Sequence, residues 1–447
     1  VQTYAFRSLA LLGFITIVVL LTLIMTNKAT PVVALIAVPT VAALVGGFGE
    51  STGAFIIKGV LAIAPTATMF IFATLFFGIL TDAGTFDPII KKIFKIVGRD
   101  PIKIVLGTAI LAMIVHLDGN GAVTFLVVIP AMIPLFDAVG MKRTTLATVV
   151  ALSAGLMNME PWGGVPLRAM ASLKLTSTEL FNPLLIPILV GAIFILFLDY
   201  TLAKKEVARI GKENISIGSI DELPVDEEKQ KYFRPKLFLV NILTIIISIT
   251  LLIKGMFSPT AVFMIAFTIT LVINYPNVKD QRARMDAHAK EALLMSSILF
   301  AAGAFVGIMQ NSGMIKEMAA VLISIIPDFL GQHLAVIVGI IGMPASLIFD
   351  PDSFYFGVLP TISAAANAFG VPAAEIGRAA LLGQMTTGFP VSPLTGSTFL
   401  LIGLAGVELG EHQKKTIPYA FAVTIVMLIT AVLVKRSEER RVGKECM

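Results

Sequence analysis

Two short polar stretches hold the residues of this sequence that are best suited to chemistry in an apolar setting. One reads His116-Leu117-Asp118-Gly119-Asn120-Gly121, and the other reads Asp350-Pro351-Asp352-Ser353. The apolar runs beside the first stretch, 104–115 and 122–136, are each shorter than the roughly 20 residues of a membrane-spanning helix. A helix–break–helix hairpin that enters and leaves on one side therefore fits. Carboxylates at membrane depth are costly and by default functional, and they suit a proton or a metal ion.

Two further polar stretches interrupt long apolar segments. The segment 144–173 is broken at Asn158-Met159-Glu160-Pro161-Trp162-Gly163-Gly164, and the segment 375–405 is broken around Gly388-Phe389-Pro390-Val391-Ser392-Pro393. Proline removes a backbone donor and glycine adds flexibility, so both unwind helices. Unwound carbonyls bind cations, and the N-termini of half-helices bind anions. The breaks and hairpins together predict a binding site near the middle of the membrane.

Side-chain chemistry separates the candidate site residues into two groups. Those expected to couple a proton or a metal ion are His116, Asp118, Glu160, Asp350 and Asp352, of which Asp118, Glu160 and Asp352 are the candidate metal ligands. Those expected to bind an anionic, carboxylate-bearing substrate are Gly119, Asn120, Gly121, Asn158, Pro161, Trp162, Gly163, Arg168, Ser353, Ser392, Thr395 and Ser397. No residue is expected to be catalytic.

Structural roles stay open for several of these residues. Asp118 and Asp352 could cap the hairpin helices, since Asp is a preferred N-cap. Asp350 precedes a proline and could shape the turn, and His116 could carry a proton or hydrogen-bond within the core. Arg168 either binds substrate or pairs with a carboxylate. The other three histidines are expected in solvated loops: His288, His333 and His412.

Composition places the chain in a membrane. It is 56% hydrophobic and 14% charged, with a mean hydropathy of +0.90, whereas soluble domains are about 25% charged. Apolar runs of spanning length recur along it, which predicts a polytopic protein. The first run, 8–25, lacks a small-residue cleavage site, so no cleavable signal peptide is expected. The single cysteine excludes an intrachain disulfide and a cysteine-based metal cluster.

The same order of elements occurs twice. In the first repeat (1–200), helices at about 7–25, 31–45 and 58–80 precede an amphipathic helix, the hairpin at about 101–139, the broken helix and a helix at about 183–198. In the second repeat (237–435), helices at about 237–253, 259–273 and 292–309 precede the hairpin at about 334–369, the broken helix and a helix at about 417–434. Gly84 and Gly313 are 229 residues apart, and Asp118 and Asp350 are 232 apart.

Five crossings and one hairpin in each half would invert the second half relative to the first. Basic segments near residues 91–103 and 279–290 are then both cytoplasmic, as the positive-inside rule requires. The linker 201–236 is cytoplasmic, both termini lie outside, and the hairpins open from opposite faces. The fold class predicted is an all-α polytopic protein of the cell membrane: an inverted-repeat secondary transporter with about ten transmembrane helices, two re-entrant hairpins and two broken helices. Residues 436–447 resemble a translated cloning adapter and fit neither repeat.

The motifs around these breaks resemble one known family. His116-Leu117-Asp118-Gly119-Asn120-Gly121, Met157-Asn158 with Pro161-Trp162-Gly163-Gly164, Asp352-Ser353-Phe354-Tyr355 and Ser392-Pro393-Leu394 occur in order and are similar to those of the citrate–metal:proton symporter family, CitMHS, of the ion transporter superfamily. The resemblance covers about residues 11–434. It implies import of citrate as its complex with Mg²⁺ or Ca²⁺, coupled to protons, with no permanently bound cofactor. Carriers of this superfamily are commonly homodimers, and no nucleic-acid partner is implied.

Two features of the resemblance bear on the coupling ion. Sodium-coupled carboxylate carriers of the superfamily have Ser-Asn-Thr at the hairpin tips, whereas these tips read Asp-Gly-Asn-Gly and Asp-Pro-Asp-Ser. Added acids favour protons or a metal ion over sodium. Glu160 departs from the family pattern, which has an apolar residue before Pro-Trp-Gly-Gly, and it could alter the metal, the coupling ion or the substrate charge.

Other functions are compatible with parts of this pattern. The alternatives on the same scaffold are a free di- or tricarboxylate carrier, another anion carrier and a cation/proton antiporter. An intramembrane aspartyl protease would need two aspartates that converge on one proton, whereas here each aspartate has its own hairpin. A channel is disfavoured because inverted repeats with paired hairpins indicate alternating access.

Overall fold

The computed structural model describes residues 2–26, 28–98, 100–119, 121–211, 231–254 and 256–445, with backbone alone for 2–8, 25, 90, 91, 94, 291, 295 and 436–445. About 83% of the chain is helical, and none of the described residues forms a strand. The predicted all-α polytopic class is thus confirmed. Seven of the described helical segments are long and apolar enough to cross a membrane, and six shorter apolar helices accompany them.

The first half contains ten helices within the described residues. They are α1 (Gln2–Met25), α2 (Pro31–Val45), α3 (Gly49–Asp82), α4 (Asp87–Val97), α5 (Pro101–Val115), α6 (Gly121–Ala138), α7 (Arg143–Met157), α8 (Gly164–Leu173), α9 (Ser177–Phe181) and α10 (Leu185–Ile210). Short 3-10 turns, His116–Asp118 and Asn182–Leu184, extend α5 and precede α10.

The second half repeats most of this order. Its helices are α11 (Phe238–Lys254), α12 (Pro259–Asn274), α13 (Val278–Asn311), α14 (Met314–Ile325), α15 (Asp328–Gly331), α16 (Leu334–Ala345), α17 (Leu359–Ala368), α18 (Ala373–Leu381), α19 (Gly396–Ala405) and α20 (Leu409–Glu445). A π-helical segment, Ser353–Val358, leads into α17, and a 3-10 turn, Phe389–Val391, lies between α18 and α19. The division into two inverted repeats stays a prediction.

Helices α3 and α13, which occupy equivalent places in the two halves, pack closely along their length. Gly59 of α3 faces Gly303 and Gly307 of α13, and a Cβ at Gly59 would overlap the carbonyl oxygen of Gly303. Small residues of this kind let helix backbones approach within a membrane. The contact therefore fixes one half of the chain against the other.

Each hairpin packs against the broken helix of the opposite half. Helix α6 contacts α19, and the π-helical segment of the second hairpin contacts α8. The limbs of the first hairpin are longer than predicted, since Pro101–Asp118 and Gly121–Ala138 each have 18 residues. Its tip nevertheless reaches the break between α7 and α8, because the indole nitrogen of Trp162 donates to the carbonyl of Leu117 at 2.9 Å.

Several helices extend beyond their predicted ends, because polar residues continue the helix past the apolar run. Helix α10 reaches Ile210, ten residues into the predicted linker. Helix α13 begins at Val278, where the Asn277 side chain accepts from the Lys279 backbone nitrogen at 2.9 Å, so the predicted basic loop is helical. The predicted linker residues 212–230 lie outside the described residues.

The expectation of solvated loop histidines was wrong at two positions. His412 lies in α20 and is fully buried, with its Nε2 atom 2.8 Å from the carbonyl of Pro390. His288 lies in α13 with its Nε2 atom 2.8 Å from the Asp82 carboxylate. Both rings meet an acceptor within the protein, which periodicity alone does not reveal.

Candidate functional site

A cavity of about 570 Å³ lies where the hairpins and broken helices meet. Its lining comes from both hairpins, both breaks and helices α3 and α13: Phe70, Gly119, Gly121, Asn158, Gly164, Val165, Arg168, Ala287, Lys290, Leu294, Ile298, Pro351, Met385, Phe389, Thr395 and Ser397. The volume falls within the usual range of small-molecule pockets, about 300–1,000 Å³. Stretches that are 230 residues apart in sequence therefore form one site, as inverted repeats imply.

The cavity separates the predicted substrate-binding residues into two sets. Six of them line it: Gly119, Gly121, Asn158, Arg168, Thr395 and Ser397. Five are not among its lining residues: Pro161, Trp162, Gly163, Ser353 and Ser392. Asn120 lies outside the described residues. In this second set, the side chains of Trp162, Ser353 and Ser392 make hydrogen bonds that brace the hairpins and breaks around the cavity.

Trp162 holds the break of the first broken helix against the first hairpin. Its ring stacks on Phe77 of α3, with centroids 5.3 Å apart, and meets Phe263 of α12 edge-on at 5.4 Å. Gly119 ends the 3-10 turn with φ of 79°, a left-handed conformation that glycine adopts readily. A Cβ at Gly119 would lie 3.3 Å from the Trp162 ring. Trp162 is thus a packing and positioning residue of the hairpin tip.

Glu160 and His116 lie side by side behind Gly119. The His116 Nδ1 atom is 2.9 Å from the Thr124 hydroxyl, and its Nε2 atom is 4.0 Å from the Glu160 carboxylate. Within the described part of the chain, neither carboxylate oxygen of Glu160 has a hydrogen-bond partner, and the Nε2 atom of His116 has none either. Buried polar groups without partners are costly. This pair is therefore the strongest candidate for an ion or proton that is held in the first half.

Arg168 and Asp352 join the two halves across the cavity wall. The Arg168 Nε atom donates to the Asp352 carboxylate at 2.6 Å, and each side chain is 8% exposed. The Arg168 guanidinium also donates to the Gly164 carbonyl at 2.9 Å. Arg168 thus both lines the cavity and pairs with a carboxylate, so the two roles left open by the sequence coexist.

Asp350 has a structural role in the second hairpin. Its carboxylate accepts from the Ser353 backbone nitrogen at 3.0 Å and from the Ser353 hydroxyl at 2.5 Å. This is the geometry of an Asp that caps a helix. Ser353 is fully buried and is engaged by this cap.

The carbonyls of the second break are already bound by side chains. Thr395 and Thr398 donate to the Phe389 carbonyl at 2.8 and 2.7 Å. His412 and Gln413 of α20 contact the carbonyls of Pro390 and Val391 at 2.8 and 2.9 Å. These three carbonyls therefore each accept a hydrogen bond, and binding of a cation by the unwound backbone stays a prediction.

Ser392 and Asn158 also brace the second break. The Ser392 hydroxyl donates to the Ser346 carbonyl at 2.6 Å, which ties the break to the second hairpin. The Asn158 amide donates to the Met385 carbonyl at 2.6 Å and so connects the two breaks. Met385 has φ of 56°, unusual for a residue other than glycine. Asn158 stabilises that conformation while it lines the cavity.

A family model described as citrate transporter, CitMHS, matches residues 10–383. The chain belongs to the citrate transporter family. The match extends from α1 to just after α18 and includes both hairpins and the first broken helix, which confirms the resemblance. Members of this family are transporters, and the chain is not an enzyme.

Two Bacillus subtilis (strain 168) relatives align with nearly the whole chain. A protein named "Citrate transporter" is 46% identical over 427 residues, which cover 95% of this chain and 99% of the relative. A protein named "Mg(2+)/citrate complex secondary transporter" is 39% identical over 427 residues, which cover 95% and 98%. Both alignments cover nearly the full length of this citrate transporter family member and of the relatives.

A solved structure shares the fold. The YdaH transporter of Alcanivorax borkumensis aligns with 95% of this chain and 97% of its own, with a TM-score of 0.63 and 13% identity. At that identity the likeness shows the fold alone. Together with the helices long enough to span, it makes this member of the citrate transporter family a multi-pass membrane protein with a transporter fold.

Lys290 is a charged lining residue of this citrate transporter family member that was not predicted from the sequence. Among the described lining residues, the charged ones are Arg168 and Lys290, both cations. Lys290 belongs to the basic segment near residues 279–290, and its place at the cavity depends on α13 beginning as early as Val278, which an apolar run does not indicate. No group of three His, Cys, Asp or Glu side chains in the described part of the chain lies close enough to hold a metal ion.

Proposed function

We propose that the protein is a secondary active transporter that carries citrate, or a similar tricarboxylate, as its complex with Mg²⁺ or Ca²⁺ in symport with protons. The observation that carries the proposal is the charge of the cavity. Arg168 is paired with Asp352, which leaves Lys290 as the uncompensated charge among the described lining residues. Arg168, Asp352 and Lys290 sum to a charge of +1, which suits a monoanion when the neighbouring acids Asp118 and Glu160 carry protons.

Metal binding converts citrate into such a monoanion. Fully ionised citrate has three negative charges, and one divalent ion reduces the total to one. Desolvating a trianion in an apolar cavity costs far more than desolvating a monoanion, because the cost of burying charge is large unless it is compensated. The cavity therefore favours the complex over free citrate.

The metal in this proposal travels as part of the substrate. Mg²⁺ prefers oxygen ligands and keeps several of its waters, and the citrate carboxylates and hydroxyl supply such oxygens. No three-residue metal cluster is then required of the protein. The relative named for the Mg(2+)/citrate complex supports the same substrate form.

Protons are the coupling ions of the proposal. Asp118, Glu160 and Asp352 are intramembrane acids beside the site, and such acids serve as proton relays in transporters. Alternating access would expose the cavity in turn to each face. The proposal places the protein in the cell membrane with the linker on the cytoplasmic side, and it includes a homodimer by analogy with related carriers.

Uptake of radiolabelled citrate into proteoliposomes tests the function. We expect uptake with Mg²⁺ or Ca²⁺ under an inward proton gradient, and loss of uptake with excess chelator or without the gradient. Uptake that persists in chelator would instead indicate a free carboxylate carrier, and uptake driven by sodium alone would refute proton coupling. No citrate uptake in any condition would refute the substrate.

A charge variant tests the observation behind the proposal. Removing one unit charge about 4 Å from the substrate in an aqueous setting costs about 1 kcal/mol, so Lys290→Gln should raise the half-saturating concentration of metal–citrate about fivefold. Lys279→Gln, on the exposed first turn of the same helix, is the matched control and should leave it unchanged. Equal effects of the two variants would argue against a role for Lys290 in the site.

A further inference from the structure

A second cavity, of about 300 Å³, lies away from the substrate cavity among α16, α18, α20 and the 3-10 turn that precedes α10. Glu375, Arg378 and Lys435 are its charged lining residues, and Ala335, Leu382 and Leu428 are among its apolar ones. Glu375 lies in the first turn of α18 and Arg378 in its last turn, and Lys435 ends the apolar span of α20. The charged residues thus stand at helix ends, where the headgroup region of a bilayer begins.

At the equivalent positions of the first half, the polar side chains have hydrogen-bond partners. Thr145 and Thr148 precede Glu375 and Arg378 by 230 residues, and Glu206 precedes Lys435 by 229, close to the offsets that relate the two halves elsewhere. The Thr145 hydroxyl donates to Glu206 at 2.6 Å. The Thr148 hydroxyl lies 2.8 Å from the hydroxyl of Thr416, which belongs to α20 in the second half. Both threonine hydroxyls are therefore engaged.

In the second half only part of this arrangement is present. Lys435 and Glu375 form an ion pair at 2.7 Å, which replaces the bond between Glu206 and Thr145. Arg378, however, has a single hydrogen bond within the described part of the chain, from its Nε atom to the Ala374 carbonyl at 3.1 Å. Its side chain lines the cavity, whereas Thr148, at the equivalent position of the first half, is bonded to Thr416. The cavity therefore has a guanidinium in its lining, and its charged lining residues sum to +1.

We propose that this cavity binds an anionic phospholipid, with the phosphate on Arg378 and acyl carbons along Leu382 and Leu428. A planar guanidinium recognises phosphate through paired hydrogen bonds. Basic pockets between transmembrane helices bind anionic headgroups. The charge of +1 matches the single negative charge of one phosphodiester. The apolar lining residues favour a ligand with an acyl chain over a free anion.

Thermal unfolding of the full-length protein in detergent tests the proposal. Added phosphatidylglycerol should raise the unfolding temperature of the wild type by roughly 3 °C, a shift typical of a ligand near saturation. The shift should be lost in Arg378→Gln, retained in part in Arg378→Lys, and lost in Ala335→Phe, which fills the apolar part. Lys254→Gln removes an exposed charge at the end of α11 and should keep the full shift.

Control ligands and native mass spectrometry distinguish the occupants. An equal shift with phosphatidylcholine would overturn the role of charge, and an equal shift with inorganic phosphate would assign the cavity to a free anion. Retention of phosphatidylglycerol by Arg378→Gln and by Ala335→Phe at wild-type levels would overturn the site. A lipid-independent dimer that is lost in both variants would assign the cavity to a second copy of the chain.

Discussion

Arg168 and Asp352 form a buried ion pair whose two partners come from different halves of the chain. Removing one partner of a buried pair leaves an uncompensated charge and costs about 3–5 kcal/mol. We therefore expect Asp352→Ala to lower the free energy of unfolding by about that amount, measured by denaturant titration in detergent. Asp137→Ala is the matched control, because the pair of Asp137 with Arg143 has the same 2.6 Å distance but is more than 40% exposed, and exposed pairs contribute about 0–1 kcal/mol. Equal losses in the two variants would contradict a structural role for the buried pair.

At the level of single residues, the sequence identified which side chains matter better than it identified their partners. Intramembrane Asp, Glu and Arg residues stand out because burying them is costly, and Arg168 and Asp352 were both found in this way. Their ion pair depends on how two segments that are 184 residues apart in sequence pack in space. The periodicity of each segment does not predict that packing. Lys290 was missed for a related reason, since it lies among other basic residues and only the length of α13 places it at the cavity.

The crossing of α3 and α13 gives a prediction for these two elements. At Gly59 any Cβ would overlap the backbone of Gly303, so Gly59→Ala must separate the helices or bend them. Gly53, in the same helix, has open space around it. We expect Gly59→Ala to lower the unfolding temperature by several degrees, since overpacking costs about 1–3 kcal/mol. Gly53→Ala should be neutral or slightly stabilising because alanine favours helix. A neutral Gly59→Ala would contradict the close crossing.

Element types followed from the sequence more reliably than element lengths. The helix breaks were located because Pro161 and Gly163 stop a helix locally, and the structure ends α7 at Met157 and begins α8 at Gly164. Helix ends that lie in polar sequence were predicted wrongly, as at Val278. The length of an apolar run reflects the part of the helix inside the membrane, and the helix can continue beyond it. The engaged carbonyls of Phe389 and Pro390 depend on contacts from α19 and α20, which local sequence cannot predict.

At the scale of the whole molecule, one cavity is built from both halves. The side of the membrane from which that cavity can be reached tests the predicted orientation of the chain. Lys290, on the segment predicted to be cytoplasmic, lines that cavity together with Ser397 of the second break. The cavity should therefore be reached from the cytoplasmic face in this conformation. The inverted arrangement of the two hairpins stays a prediction that this accessibility can check.

A single-cysteine scan measures that accessibility. On a Cys446→Ser background, Ser397→Cys should react with a membrane-impermeant thiol reagent in inside-out vesicles and much more slowly in right-side-out vesicles. Ser153→Cys, fully buried in α7, is the control for non-specific reaction. Metal–citrate at ten times its Kd leaves roughly one site in ten empty and should slow labelling of Ser397→Cys about tenfold. Faster labelling from the opposite side would contradict the predicted orientation. A bound substrate must exclude the reagent from the residues that line its site. Labelling that does not change with metal–citrate would therefore show that this cavity is not part of the transport pathway.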